Sequence, residues 1–126
     1  MLLWLIAALR AYGSCGNVTK LIDELVDMGV DILNPVQVSA MVDTSELKAG
    51  FGDKITFWGG IDSQNILPFG SVKEVENEVK QRIRDLAPGG GFVLAAVHYV
   101  QPDVSPENIL AMADSTRKFG IYPIAC

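Results

Sequence analysis

The chain has 126 residues, 49% of them apolar and 20% charged, with a formal net charge of −5 and a pI near 4.7. That length falls in the one-domain range, and no compositional extreme points to disorder, collagen or a disulfide scaffold. Fifteen acidic against ten basic residues, with no Lys/Arg cluster, exclude the electrostatic footprint of a nucleic-acid binder. Two cysteines, Cys15 and Cys126, are too few for a disulfide framework and point to a reducing, cytoplasmic compartment.

The segment Met1 to Leu9 is wholly apolar. A bilayer-spanning helix needs roughly 20 apolar residues, so this run is too short to cross one. It also lacks the positive start and small-residue cleavage site of a signal peptide, and a buried strand or short core helix is expected. A first strand is placed within Leu2 to Tyr12. Asn17 then caps an apolar-periodic helix over Val18 to Met28, which Gly29 ends. Asp31 to Pro35 is of strand length. Asp43 with Glu46 fits a capping box for a short helix to about Gly50.

Lys54 to Gly59 is the third strand-length run. Ser71 with Glu74 is a second capping box. It opens a helix whose stripe is Val72, Val75, Val79, Ile83 and Leu86, with Lys73, Glu76, Asn77, Lys80, Arg82 and Arg84 on the wetter positions. Pro88-Gly89-Gly90-Gly91 stops it, and Phe92 to Val97 is the fourth strand. Ser105-Pro106 starts the last helix, which Gly120 closes after Phe119. Helix starts about 30 residues apart match one βα unit each. The fold class is therefore α/β with four consecutive βα units. They form a parallel sheet that is either a small open doubly wound sheet or part of a (βα)₈ TIM barrel. Residues 1–126 are read as a single domain.

Both architectures put the ligand site in the loops beyond the carboxyl ends of the strands. The unusual residues fall there: Ser14 to Asn17, Asn34 to Gln37, Gly59 to Gln64 and His98 to Asp103. Each has a structural alternative. Cys15 suits a small buried apolar position, Asn17 a helix cap, Asp62 a turn cap, and His98 a bond to a backbone carbonyl. Gly59-Gly60 serves either a close ligand approach or a tight turn. Cys15 and His98 are potential soft-metal ligands. Catalytic zinc commonly takes three protein ligands, and Asp62 or Asp103 are candidates for the third. The same two residues are compatible with a Cys–His nucleophilic pair, for which spacing identifies no orienting third residue. The glycine run at 88–91 precedes a strand, whereas anion-binding loops open a helix.

An ordered series of segments then stands out. It comprises Ser14-Cys15-Gly16-Asn17-Val18, Gly29 to Gln37, Phe57-Trp58-Gly59-Gly60-Ile61-Asp62, Leu67-Pro68-Phe69-Gly70, Gly89 to Ala95, His98 to Asp103, and Pro106-Glu107-Asn108-Ile109. From about Ser14 to Ile124 the chain resembles the uroporphyrinogen decarboxylase superfamily, which also holds corrinoid- and coenzyme-linked methyltransferases. Residues 1–12 match it poorly.

The resemblance implies a (βα)₈ barrel with its site at the carboxyl rim, of which this chain is like the C-terminal third to half. A typical barrel needs around 250 residues. The decarboxylases' principal aspartate and arginine cluster would lie outside the matched part. In the methyltransferase branch a His-x-Cys pair and a further cysteine hold zinc. Cys15 matches the cysteine of that pair, Gly13 stands where its histidine would be, and His98 stands at the position of the third ligand.

The Ser14–Asn17 segment is closer to that branch. The expectation is therefore one-carbon transfer to a zinc-activated thiol, with a corrinoid or corrinoid protein as methyl donor and a small-molecule substrate. Cys15 and His98 would be metal ligands, His98 catalytic, and Asn34, Gln37, Asp62 and Gln64 on the substrate. The alternative is tetrapyrrole decarboxylation without a cofactor, with His98 and Asn34 contacting substrate carboxylates. A third reading is a non-catalytic half-barrel. Unpaired strand edges and an inner face built to be covered make a homodimer the expected state in that case.

Overall fold

A computed structural model describes residues 9–41 and 43–125. Its elements run β1 (Ala11–Gly13), a 3₁₀ turn (Thr19–Leu21) leading into α1 (Ile22–Asp27), β2 (Ile32–Val36), α2 (Thr44–Phe51) and β3 (Thr56–Ile61). They continue through α3 (Ile66–Phe69), α4 (Val72–Leu86), β4 (Phe92–Ala96) and α5 (Pro106–Phe119). The four strands form one parallel sheet in the order β1-β2-β3-β4. This is the α/β array of four βα units that the helix-start spacing predicts. The expected apolar element at residues 1–9 lies outside the described residues apart from Leu9, which is 69% exposed. No described helix is long and apolar enough to cross a membrane.

The capping chemistry works largely as written. In α4, Ser71 and Glu74 form a reciprocal capping box, and Ser105 accepts from the Asn108 amide ahead of Pro106 in α5. The hydrogen bonds from the Ser71 backbone and hydroxyl hold the Glu74 carboxyl below its ordinary range. Asp43 accepts from the Ser45 amide in place of the reciprocal box expected with Glu46, and α2 runs one residue past Gly50. Asn17 acts one step earlier than a helix cap, its side chain accepting from the Thr19 amide in a local turn before the 3₁₀ segment.

Two buried clusters lie under the sheet. Leu33, Val36, Phe57 and Leu47 join Ile22 and Leu25 of α1 in one. Val75, Val79 and Ile83 of α4 meet Ile61, Leu67 and Val104 in the other. Two residues depart from the expected stripe on α4. Val72, at the first helical position, is half-exposed. Arg82 is sheltered, because it reaches Thr44 Oγ1 at 2.8 Å and sits 3.5 Å from Glu78. On the opposite face of the sheet, the ladder partners Trp58 and Val93 are 38% and 43% exposed. Side chains alternate along strands, so the helices cover one face and leave the other open.

The Gly59-Gly60 pair resolves toward packing between strands. Gly59 has φ +119, and a Cβ there would stand 3.0 Å from the Val36 amide nitrogen. Its missing side chain therefore lets β2 and β3 close up where their register shifts between Leu33 and Val36. The short helix α3 has no capping side chain. It is held instead by the buried Asn108 of α5, whose Nδ2 donates to the carbonyls of Leu67 (2.9 Å) and Gly70 (2.8 Å). Asn108→Ala leaves both carbonyls without that donor. Urea unfolding should show a loss of about 1–3 kcal/mol, against no more than about 0.5 kcal/mol for the exposed Leu110→Ala. Equal midpoints for the two variants would contradict this role.

Candidate active site

The carboxyl ends of the strands surround an open hollow of about 530 Å³ lined by Gly13, Ser14, Cys15, Asn34, Pro35, Trp58, Ala96, Val97, His98 and Tyr99. Cys15 is positioned through its two neighbours. The Ser14 amide donates to the Asn34 carbonyl at 3.1 Å, which carries the β1–β2 ladder one residue past Gly13. The Gly16 amide donates to Gln37 Oε1 at 2.8 Å, and Gly16 has φ +91, a conformation that favours glycine. Both sides of the cysteine are thus tied to the segment that ends β2. His98 follows the buried Val97, whose amide donates to the Ile61 carbonyl at 2.9 Å and extends the β3–β4 ladder.

These two anchors bring together residues 83 apart in sequence: Cys15 Sγ and His98 Nε2 are 3.0 Å from each other, with both residues exposed to the hollow. The heavy atoms admit either a thiol donating to Nε2 or an Nε2–H donating to sulfur. Among the described residues the other ring nitrogen of His98 has no protein partner. Asn34 lines the same hollow. Trp58 and Tyr99 line it too; sequence reasoning placed them on a strand and in a loop without singling them out. The strand alternation that exposes Trp58 is the signal that could have found it.

The other candidates lie elsewhere. Gln37 supports the cysteine loop instead of facing the hollow, with its oxygen on Gly16 and its amide on Ser39 (3.4 Å). Asp62 caps its own turn, accepting from the amides of Gln64 (2.7 Å) and Asn65 (3.1 Å) and from Asn65 Nδ2 (3.1 Å). Gln64 is exposed beside that turn, and neither it nor Asp103 lines the hollow.

A family model described as uroporphyrinogen decarboxylase (URO-D) matches residues 11–119. The chain belongs to the URO-D family. Similar curated members of this family are the uroporphyrinogen decarboxylases of Thioalkalivibrio sulfidiphilus (24% identical over 100 residues, 79% of this chain and 27% of that protein) and of Pseudoalteromonas translucida (28% identical over 78 residues, 62% and 22%). That of Vesicomyosocius okutanii subsp. Calyptogena okutanii is 23% identical over 103 residues, 82% and 28%. The chain therefore spans about a quarter of the length of these relatives. A solved methyltransferase from Methanosarcina mazei shares the fold, with a TM-score of 0.73 and 22% identity over 92% of this chain and 33% of that one. The URO-D-family sheet seen here is an arc of such a barrel.

The described residues do not by themselves fit a catalytic zinc. They provide two donors, Cys15 and His98, already in direct contact. A sulfur and a nitrogen on one tetrahedral zinc would stand roughly 3.6 Å apart. No group of three His, Cys, Asp or Glu side chains able to hold a metal occurs among the described residues. Gly13, on the hollow, has no donor side chain, although a Cβ there would meet only the Asn34 carbonyl oxygen at 3.6 Å, an ordinary contact.

Asp62 instead borders a second recess with Asp43, Thr44, Glu78 and Arg82. Burial is the main cause that raises the Glu78 carboxyl above its ordinary range, opposed by the Arg82 charge and reinforced by the Asp62 charge. The Thr44 hydroxyl, which accepts from Arg82, donates to Asp85 at 2.6 Å. A carboxyl raised in the folded state binds its proton more tightly there than when unfolded. Its contribution to stability is complete below the ordinary glutamate range and is lost as pH rises through the raised value. Glu78→Gln should remove this component, so urea midpoints of the variant should decline less than those of the wild type over that window. Identical slopes would contradict it.

Proposed function

We propose that this chain carries the reacting rim of a one-carbon-transfer enzyme of the methyltransferase-like branch of the family, acting on a small thiol substrate with a corrinoid, free or on a corrinoid protein, as methyl donor. The observation that carries this reading is the Cys15–His98 contact inside the hollow. A site that handles a thiol has use for a soft donor and a proton carrier side by side, which carboxylate binding alone does not call for. Four side chains of the hollow then have roles. Nε2 of His98 exchanges a proton with a thiol, the Asn34 amide orients the polar end of the substrate, and Trp58 and Tyr99 offer apolar surface to the rest of it. The shared fold of the Methanosarcina mazei methyltransferase is compatible with this assignment.

The curated relatives favour a second reading, since all three are named uroporphyrinogen decarboxylase. In that reading His98 and Asn34 contact substrate carboxylates and no metal takes part.

Gly13→His separates the two. If the rim is built on the methyltransferase-branch ligand pattern, this substitution adds the missing donor two residues from Cys15, where a Cβ makes only an ordinary contact. Calorimetric titration should then show zinc binding at least about ten-fold tighter than in the wild type, with the gain abolished by adding Cys15→Ala. No gain, together with porphyrinogen turnover insensitive to a chelator, would replace this reading with decarboxylation.

A further inference from the structure

We propose that Cys15 and His98 form a metal-free nucleophilic pair that accepts an alkyl group onto the cysteine sulfur, making the protein itself a methyl acceptor. This deepens the one-carbon-transfer reading and rests on it. Three observations point to it. The nucleophile and its base are in contact at 3.0 Å, within the reach that proton removal during attack requires. The backbone that carries the sulfur is anchored, because the amides of Ser14 and Gly16 are hydrogen-bonded to the Asn34 carbonyl and the Gln37 side chain. The pair opens on a hollow with room for a small molecule, and no third donor among the described residues commits it to a metal.

The step balances without an oxidant or reductant. Sγ forms a bond to the alkyl carbon as the bond from that carbon to its leaving group breaks. The leaving group departs with the bonding pair, and the thiol proton passes to His98 Nε2. Trp58 and Tyr99 beside the pair suit a donor with a flat or apolar body. The donor class is thus an alkyl electrophile with a good leaving group, of which the methylated corrinoid of the reading above is one.

Cys126, the other cysteine, lies outside the described residues and serves as an internal reference. The full chain, stripped of metal with a chelator, is treated with limiting iodoacetamide, and the two cysteine peptides are followed by mass spectrometry. Cys15 should be carbamidomethylated at least ten-fold faster in the folded chain than in urea. That advantage should disappear in His98→Gln and in His98→Ala, with the Cys126 rate and the circular dichroism spectrum unchanged. A Cys15 rate that is the same in folded and unfolded chain, or that survives both His98 variants, would overturn the proposal. If labelling fails while Gly13→His still gains zinc, only the protein-bound acceptor is removed. If both fail, the one-carbon-transfer reading goes with it.

Discussion

Cys15 and His98 extend from β1 and β4, the two outer strands of a sheet whose four members pair in chain order. In a flat sheet these strands would lie three spacings apart, roughly 14 Å. Their loops nevertheless meet at 3.0 Å between side-chain atoms. Parallel pairing puts both loops at the same end, and curvature toward the uncovered face brings them across the concave side. That curvature is the property of a barrel arc, and the site depends on it. Helices packed on the convex face support it through the two buried clusters, while Trp58 and Val93 remain on the open inner face.

Local details make the curved arrangement compatible with close packing. At Gly59 the absent side chain allows the Val36 backbone to approach where the β2–β3 register shifts. At Gly16 the chain bends with a positive φ immediately after the cysteine, and the Gln37 side chain secures that bend. The link from sequence to chemistry thus passes through residues that never line the hollow. Gln37 is the clearest of them: its amide group looks like a substrate contact in the sequence and is a loop support in the structure.

Much of the fold was legible because its signals are local. The Ser71–Glu74 box, the Ser105-Pro106 start and the glycines after the helices each satisfy or release particular backbone groups, and their spacing forces the βα order. The short α3 was not legible, since Asn65 makes no cap and the helix is held by Asn108, 41 residues from Leu67. The sheltered position of Arg82 depends likewise on Thr44, 38 residues away. The rim as a whole could be read from topology, but not which of its side chains converge. Asp62 shares the rim with Cys15, Asn34 and His98, yet its carboxylate is used by the amides two and three residues onward. Asx turns of this kind compete with any ligand for the same oxygen.

The contact between the two edge loops can be observed directly, because His98 is the only histidine in the chain. Long-range ¹⁵N–¹H correlation of the uniformly labelled protein gives one pair of ring-nitrogen signals, assignable without further variants. The curved arrangement requires that Cys15→Ala move the Nε2 signal strongly and leave the backbone spectrum of β2 and β3 in place. An Nε2 resonance that does not respond to loss of the sulfur would mean that the loops after β1 and β4 do not meet across the sheet, and the site described above would not exist.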